Sequence, residues 1–369
     1  MNWQTYGRLL AHEGLVRDAS LPAREHAAMP WYVKLLSGFG AWLAALFVLG
    51  ALGAASFGLL ESAPARAGLG IVACGLCAYI LRSRDREPGP FLAQFLTAIS
   101  IAGAALVVSL LLDGPLRLSA TLLAGALVAA MLLIANPEPV HRLLMALGMV
   151  GCLTLASIQW GLHPVACVVL ALATSLIWLK QAGWTHARLG PLLVPVGMAC
   201  AAALVLLPAY GPVGELLGRE AGTALTGPGL AAHAPWLTPA GLAVVLAATI
   251  LLVGRDLPHR VPAARVAWFP ALAVAATAVV ALAAWQAPGV IACLLVWVVG
   301  MAAGRPVLGG LALAGLAWYL LQLYYSLQTS LLGKGMALLG TGVVLLVLHF
   351  VLARWPPSRP PARTGADGG

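Results

Sequence analysis

Long apolar runs dominate the sequence, and short segments that carry charges, proline or glycine separate them. A helix that crosses a bilayer needs about 20 predominantly apolar residues. Reading each run between its flanking breakers predicts twelve membrane-spanning helices. They cover residues 35–60, 63–81, 91–112, 116–135, 143–160, 162–179, 189–210, 237–253, 266–286, 288–303, 307–325 and 331–353. Three runs are short, and the connections at 160–164 and 286–289 would be very tight hairpins, so ten or eleven spans remain an alternative.

The composition agrees with a membrane protein. Of the 369 residues, 61% are hydrophobic and only 9% are charged. In a soluble domain about a quarter of the residues are charged. We therefore expect an all-α fold, a polytopic bundle of about 12 transmembrane helices, and not a water-soluble enzyme.

The chain divides into three predicted parts. Residues 1–30 form a cytoplasmic segment, in which Trp3, Tyr6 and Leu10 share one face of a short amphipathic helix that a linker follows. Residues 31–353 form the polytopic membrane domain. Residues 354–369 are rich in proline and glycine, cannot bury a core, and are predicted to be a disordered cytoplasmic tail.

The basic residues are distributed unevenly between the predicted connections. Lysine and arginine outnumber the acidic residues 21 to 12, which gives a net charge of +9. With twelve spans and a cytoplasmic N-terminus, 17 of the 21 fall on the cytoplasmic side, and the exceptions are Arg66, Arg117, Arg219 and Lys334. This is the positive-inside distribution, and it predicts a multi-pass membrane protein with both termini in the cytoplasm. Since topology accounts for the basic excess, we expect the lipid bilayer as a partner and no nucleic acid.

Catalytic and cofactor chemistry has few candidates in this sequence. All twelve acidic residues fall outside the predicted spans, which counts against proton-driven transport. Cys74 and Cys77 form a C-x-x-C pair in mid-span, where we expect them to pack as small apolar side chains. Of the eight histidines only His349 falls clearly inside a span, so no haem or metal site is expected. Without a recognisable catalytic motif, the sequence predicts neither an enzyme nor a bound cofactor.

Polar and aromatic residues inside the spans predict contacts between helices. Gln94, Thr97 and Ser100 share one helix face, where they can hydrogen-bond across helices or line a pathway. Tryptophans at the span ends, Trp178 among them, are predicted to lie at the lipid headgroups. The tryptophans that fall deeper are predicted to pack between helices, and they are Trp42, Trp297 and Trp318.

Three blocks of the sequence resemble a known family. They are residues 30–47, which begin Pro30-Trp-Tyr-Val-Lys, residues 91–103, and residues 318–342, which hold a Tyr-Tyr pair and Lys334. Together they are similar to the bacterial inner-membrane family known only as domain-of-unknown-function family 4401, over about residues 30–352. In the closing block Gly335 stands where the family pattern has serine. The resemblance implies a polytopic protein that is often encoded beside another membrane protein and a protein with a Gly-Asp-Tyr signature, and hence a multiprotein assembly.

The closing block and the polar face of the third span supply the candidate functional residues, which are Tyr324, Tyr325, Thr329, Lys334 and Gln94. Lys334 falls on the outer side of the membrane, against the topology bias. A basic residue there needs an anionic partner, either an outer-leaflet phosphate or an acid such as Asp113 or Glu215.

The leading functional hypothesis is a non-enzymatic subunit or scaffold of an envelope membrane assembly, with other membrane proteins encoded nearby as its partners. The alternative is a secondary transporter of neutral or amphipathic solutes, because twelve spans with both ends inside is a common transporter plan. A membrane-embedded enzyme is a third hypothesis.

Overall fold

A computed structural model describes residues 30–55, 61–82, 89–112, 118–187, 189–209, 236–255, 269–285 and 287–326. All regular structure within these residues is helical. The α-helices are α1 (Trp31–Ala55), α2 (Ala63–Arg82), α3 (Pro90–Leu112), α4 (Leu118–Ala135), α5 (Pro139–Gln159), α6 (His163–Leu179), α7 (Gln181–His186), α8 (Gly190–Leu206), α9 (Leu237–Gly254), α10 (Phe269–Ala283), α11 (Pro288–Ala302) and α12 (Pro306–Ser326). A short 3₁₀ turn, Leu207–Ala209, follows α8.

The helices agree with the predicted apolar runs. Each of the first eleven predicted spans contains one long helix, and the short α7 is an addition that the apolar pattern did not predict. The twelfth predicted span, 331–353, lies outside the described residues, as do the amphipathic helix and the C-terminal tail. Six of the described helices, α1 to α5 and α9, are long and apolar enough to cross a membrane, and five further apolar helices are shorter. These helices are typical of a membrane protein, while the count of twelve crossings stays a prediction.

Four helices form the centre of the bundle. These are α6, α8, α9 and α11, of which α6 and α11 pack against each other and against both α8 and α9. The most deeply placed is α11, because Ile291, Leu295 and Val299 have no exposed surface. At the periphery α1 packs on α3, and α10 packs on α9. Most large apolar side chains of α1 are exposed, for example Phe47 at 73%, as expected for a helix that contacts lipid.

Glycine allows two helix pairs to approach closely. On the α2–α3 contact, a Cβ added to Gly70 would collide with the backbone oxygen of Gly103. On the α11–α12 contact, a Cβ on Gly300 would lie 2.9 Å from the Cβ of Leu308. Packing through small residues is how membrane helices gain contact area without a hydrophobic driving force.

Several basic residues gather at one end of the bundle, which we call the basic end. Here α6 and α11 end and α5 and α8 begin, and one cleft is lined by Arg142, Trp178, Pro191 and Arg305 from these segments. Arg82, at the end of α2, donates a hydrogen bond to the carbonyl of Ile134 in α4 at 3.2 Å. The sequence assigns all three arginines to the same side of the membrane, in agreement with this arrangement. That this side is the cytoplasm remains a prediction.

The start of α5 differs from the prediction in a way that matters for function. The predicted span begins at residue 143, whereas the helix begins at Pro139. The side chain of Glu138 accepts the backbone N–H of His141 at 2.7 Å and so caps the helix, and proline at the first helical position is pre-organised for it. His141 therefore lies inside the helix and is fully buried, although the sequence pattern placed it outside the spans.

The tryptophan predictions were partly wrong. Trp178, predicted to lie among headgroups, is only 2% exposed because it packs in the hydrophobic core of the bundle. Trp318, predicted to pack between helices, is 54% exposed. Trp297, with the same prediction, is 42% exposed but lies beside α12, where a Cβ added to Gly309 would be 4.0 Å from its Cδ1. Hydrophobicity along the chain gives depth in the membrane but does not say which face of a helix meets a neighbour. Trp42 does contact another helix, as predicted.

Candidate functional site

A buried polar cluster joins α2, α3 and α5. The side chains of Ser100 and His141 lie 3.0 Å apart, Oγ to Nε2, and neither has any exposed surface. The thiol of Cys74 donates to the backbone oxygen of Ser100 at 3.3 Å. One turn before Ser100, the hydroxyl of Thr97 is buried without a hydrogen-bond partner among the described residues. Two of the three residues on the predicted polar face of α3 therefore lie in this cluster, together with a histidine from another helix.

The Ser100–His141 pair has the composition of a nucleophile and a general base. Catalysis would also need a group that orients the imidazole and access for a substrate. The Nδ1 atom of His141 has no partner within the described part of the chain, and both side chains are fully enclosed. In this arrangement the pair connects two helices and does not present a nucleophile to a substrate.

Gln94 is the one predicted functional residue whose side chain the structure describes. Its Oε1 accepts the indole N–H of Trp42 at 3.3 Å, which links α3 to α1. This agrees with the prediction of a contact between helices. Tyr324 and Tyr325 lie in the last turn of α12, but their side chains fall outside the described structure, as do Thr329 and Lys334 entirely. The roles of these four residues stay predictions.

A cleft of about 380 Å³ opens at the basic end. We call it the basic cleft. The starts of α5 and α8 form two of its walls, and the end of α6 with the short α7 forms the third, where Trp178 and Trp184 face the cleft. Arg142 and Arg305 complete the lining. Its volume lies within the range of small-molecule sites.

Specific contacts hold both arginines of the basic cleft in place. The Nε of Arg142 donates to the backbone oxygen of Asn136 at 2.8 Å, and the guanidinium of Arg305 lies 5.5 Å above the ring centre of Trp178. Neither arginine forms an ion pair with an acidic side chain of the described segments. Among the described residues, the lining of the basic cleft therefore holds two cations and no acidic side chain.

A second cleft lies between α6 and α9, and Trp178 lines this cleft as well as the basic one. We call it the α6–α9 cleft, and its volume is about 580 Å³. In its wall the hydroxyls of Ser175 and Thr249 are hydrogen-bonded at 3.0 Å, and Lys180 lies at its edge. The cleft therefore offers hydroxyl groups in an otherwise apolar surrounding.

The described residues hold no group of three histidine, cysteine or acidic side chains that could bind a metal ion. Cys74 and Cys77 are buried and form no disulfide, which agrees with their predicted packing role. Sequence reasoning missed His141, Arg142 and Arg305 as parts of polar sites. The Glu138–Pro139 helix start was the available signal for His141, while the two arginines had been explained by topology alone.

Comparison with protein families gives one match. The family model described as a domain of unknown function (DUF4401) matches residues 30–355. No curated protein and no solved structure matches this chain.

Proposed function

The chain belongs to the DUF4401 family, and we propose that it is a non-enzymatic integral membrane subunit or scaffold of an envelope membrane assembly. One observation carries the proposal. The side chains with reactive chemistry, Ser100, His141 and Cys74, are enclosed and bonded across helices, where they fix the relative positions of α2, α3 and α5. A frame of this kind suits a protein that presents a surface to neighbours.

Two further contacts support a rigid frame. The Trp42–Gln94 bond attaches α1 to the bundle, and the Ser175–Thr249 bond links α6 to α9. Hydrogen bonds between membrane helices contribute on average about 0.6 kcal/mol each, so the set adds to the rigidity that helix packing already provides. The same proposal places the protein in the inner membrane and gives it membrane proteins encoded nearby as partners.

Mild solubilisation of native membranes, followed by native electrophoresis and native mass spectrometry, tests the proposal. A scaffold or subunit predicts a complex of fixed stoichiometry that is heavier than the 37.9 kDa chain and contains a second membrane protein. A single chain that moves a solute across reconstituted vesicles would overturn the proposal.

A second candidate function is transport of a neutral or amphipathic solute. The α6–α9 cleft favours it, because the cleft combines Ser175 and Thr249 with apolar walls. Flux into vesicles that contain the purified protein tests this function. Transport predicts flux that falls when the cleft is filled by Ala248→Phe, whereas flux equal to empty vesicles would argue against transport. Val244→Phe, at an exposed position on α9 outside the lining of this cleft, is the matched control.

A further inference from the structure

We propose that the basic cleft binds the phosphate headgroup of an anionic phospholipid, whose acyl chains extend along the apolar part of the cleft. The proposal is independent of whether the protein is a scaffold or a transporter. It rests on four features of the cleft, which are two cations without an acidic partner among the described residues, their fixed orientation, the start of α8 that borders it, and its apolar wall.

The first feature is the charge of two arginines. Arg142 is half-buried in α5, and Arg305 lies in the turn between α11 and α12. Neither has an acidic partner within the described segments. Arg142 is thus partly desolvated, whereas Arg305 is exposed. A cation in a membrane protein is stabilised by an anion, and the planar guanidinium fork matches a phosphate through two parallel hydrogen bonds.

The second feature is orientation. The Nε of Arg142 is engaged by the carbonyl of Asn136, which leaves its terminal N–H groups for another acceptor. The guanidinium of Arg305 rests on Trp178, which is itself 2% exposed and therefore a firm support. Cations held in place before binding lose little side-chain entropy when a ligand arrives.

The third feature is the backbone around the cleft. Pro139 and Pro191, in the first turns of α5 and α8, both line it. The N-cap of α8, Leu189, provides no side-chain cap. The N-terminal end of a helix carries partial positive charge, so the start of α8, which has no side-chain cap, adds to the attraction for an anion, whereas the carboxylate of Glu138 already caps the start of α5.

The fourth feature selects an amphiphile over a water-soluble anion. Ile177, Leu193 and Val194 form an apolar wall beside the arginines. Trp184 also lines the cleft, and its indole N–H is buried without a partner in the described structure. Tryptophan is common at the depth of lipid headgroups, where its ring meets apolar chains and its N–H can meet a polar oxygen.

Lipid retention by the full-length protein tests the proposal. The protein is reconstituted in equal amounts of phosphatidylcholine and phosphatidylglycerol, extracted, and analysed by native mass spectrometry. We expect one phosphatidylglycerol to remain on each chain. Arg142→Gln and Arg305→Gln should each reduce its retention about tenfold, because each removes a charge-assisted hydrogen bond. If the wild-type protein retains phosphatidylcholine as well as it retains phosphatidylglycerol, the proposal is overturned whatever the variants show.

Two further variants test whether lipid retention depends on the cleft itself or only on the basic charge at this end of the bundle. Lys180→Gln removes an exposed cation at the same end of the bundle but outside the basic cleft, and it should leave retention unchanged. Val194→Trp fills the cleft while both arginines stay, and it should reduce retention. Equal losses in Lys180→Gln and Arg305→Gln would show that any basic residue at this end attracts lipid, and would contradict the cleft as the site.

The phosphate group that the cleft binds could belong to a lipid headgroup or to a free phosphate ion, and adding inorganic phosphate distinguishes the two. It is added to protein in pure phosphatidylcholine, and the unfolding temperature is measured. We expect no stabilisation at millimolar phosphate, because the apolar wall gains nothing from the free ion. Stabilisation by phosphate that disappears in Arg142→Gln would show that the cleft takes a soluble anion, and the lipid assignment would be wrong.

Discussion

His141 of α5 donates to or accepts from Ser100 of α3 across 3.0 Å, and neither side chain reaches the surface. Replacing Ser100 with alanine leaves the buried Nε2 without its partner. A buried polar group left unsatisfied costs about 1–3 kcal/mol, so we expect Ser100→Ala to lower the unfolding temperature in detergent. The measurement is thermal unfolding followed by tryptophan fluorescence.

Ser109→Ala is the matched control for this prediction. Ser109 lies on the same helix, and its hydroxyl donates only to the carbonyl of Leu106 in its own backbone at 2.8 Å. The same substitution there removes no contact between helices. Equal destabilisation by both variants would show that the Ser100–His141 bond contributes nothing specific.

Because α2 and α3 approach closely, we expect a single methyl group added at their contact to lower the stability of the protein markedly. A Cβ on Gly70 would collide with the backbone oxygen of Gly103, which cannot move as a side chain can. Overpacking costs about 1–3 kcal/mol, so Gly70→Ala should destabilise the protein or separate the two helices. Gly75→Ala, on the same helix, adds a Cβ with nothing within 4 Å. Stability that is no lower in Gly70→Ala than in Gly75→Ala would contradict this contact.

Much of the fold follows from the one-dimensional pattern. Apolar runs bounded by proline and glycine located the helices, since each must be apolar over its length to lie in a bilayer. The same uniformity hides which face of a helix is inside. Trp178 is buried and Trp318 exposed although both stand in apolar stretches. Contacts such as Ser100–His141, between residues 41 positions apart, depend on which helices become neighbours. The pattern of apolar and polar residues along the chain does not show which helices become neighbours.

The membrane side of the basic end can be determined with reporter fusions. The positive-inside distribution predicts that fusions after Glu87, Arg188 and Arg260 report the cytoplasm and that one after Gly222 reports the outside. Green fluorescent protein and alkaline phosphatase are suitable reporters, because the first is fluorescent only on the cytoplasmic side and the second is active only on the outer side. A phosphatase signal at Arg188 would reverse the assignment of the basic cleft to the cytoplasmic leaflet.

Lys334 tests the functional role predicted for the closing block. On the twelve-span topology it is a basic residue on the outer side, where an outer-leaflet phosphate or a carboxylate would stabilise it. Lys334→Met removes the charge and keeps the apolar stem, so we expect lower membrane abundance or loss of the native complex, while Lys334→Arg should restore both. Membrane abundance is measured by immunoblot and assembly by native electrophoresis. Unchanged abundance and assembly in Lys334→Met would remove Lys334 from the candidate residues.

The hydrogen bond between Ser175 and Thr249 should appear as energetic coupling between α6 and α9. The two hydroxyls are 3.0 Å apart and both residues are buried, so removing either one leaves the other unsatisfied. The double variant Ser175→Ala, Thr249→Val removes both partners and should cost less than the sum of the single variants, with a coupling of about 0.6–1.7 kcal/mol. Reversible unfolding in mixed micelles measures the free energies of unfolding of the wild-type protein, the two single variants and the double variant.

The control is a parallel cycle of Ser109→Ala with Thr249→Val. Ser109 lies on α3 and its hydroxyl does not bond to Thr249, so the effects of these two substitutions should be additive. Additivity in the Ser175–Thr249 cycle would mean that the two hydroxyls do not interact in the folded protein. The hydrogen bond between them in the wall of the α6–α9 cleft would then be contradicted.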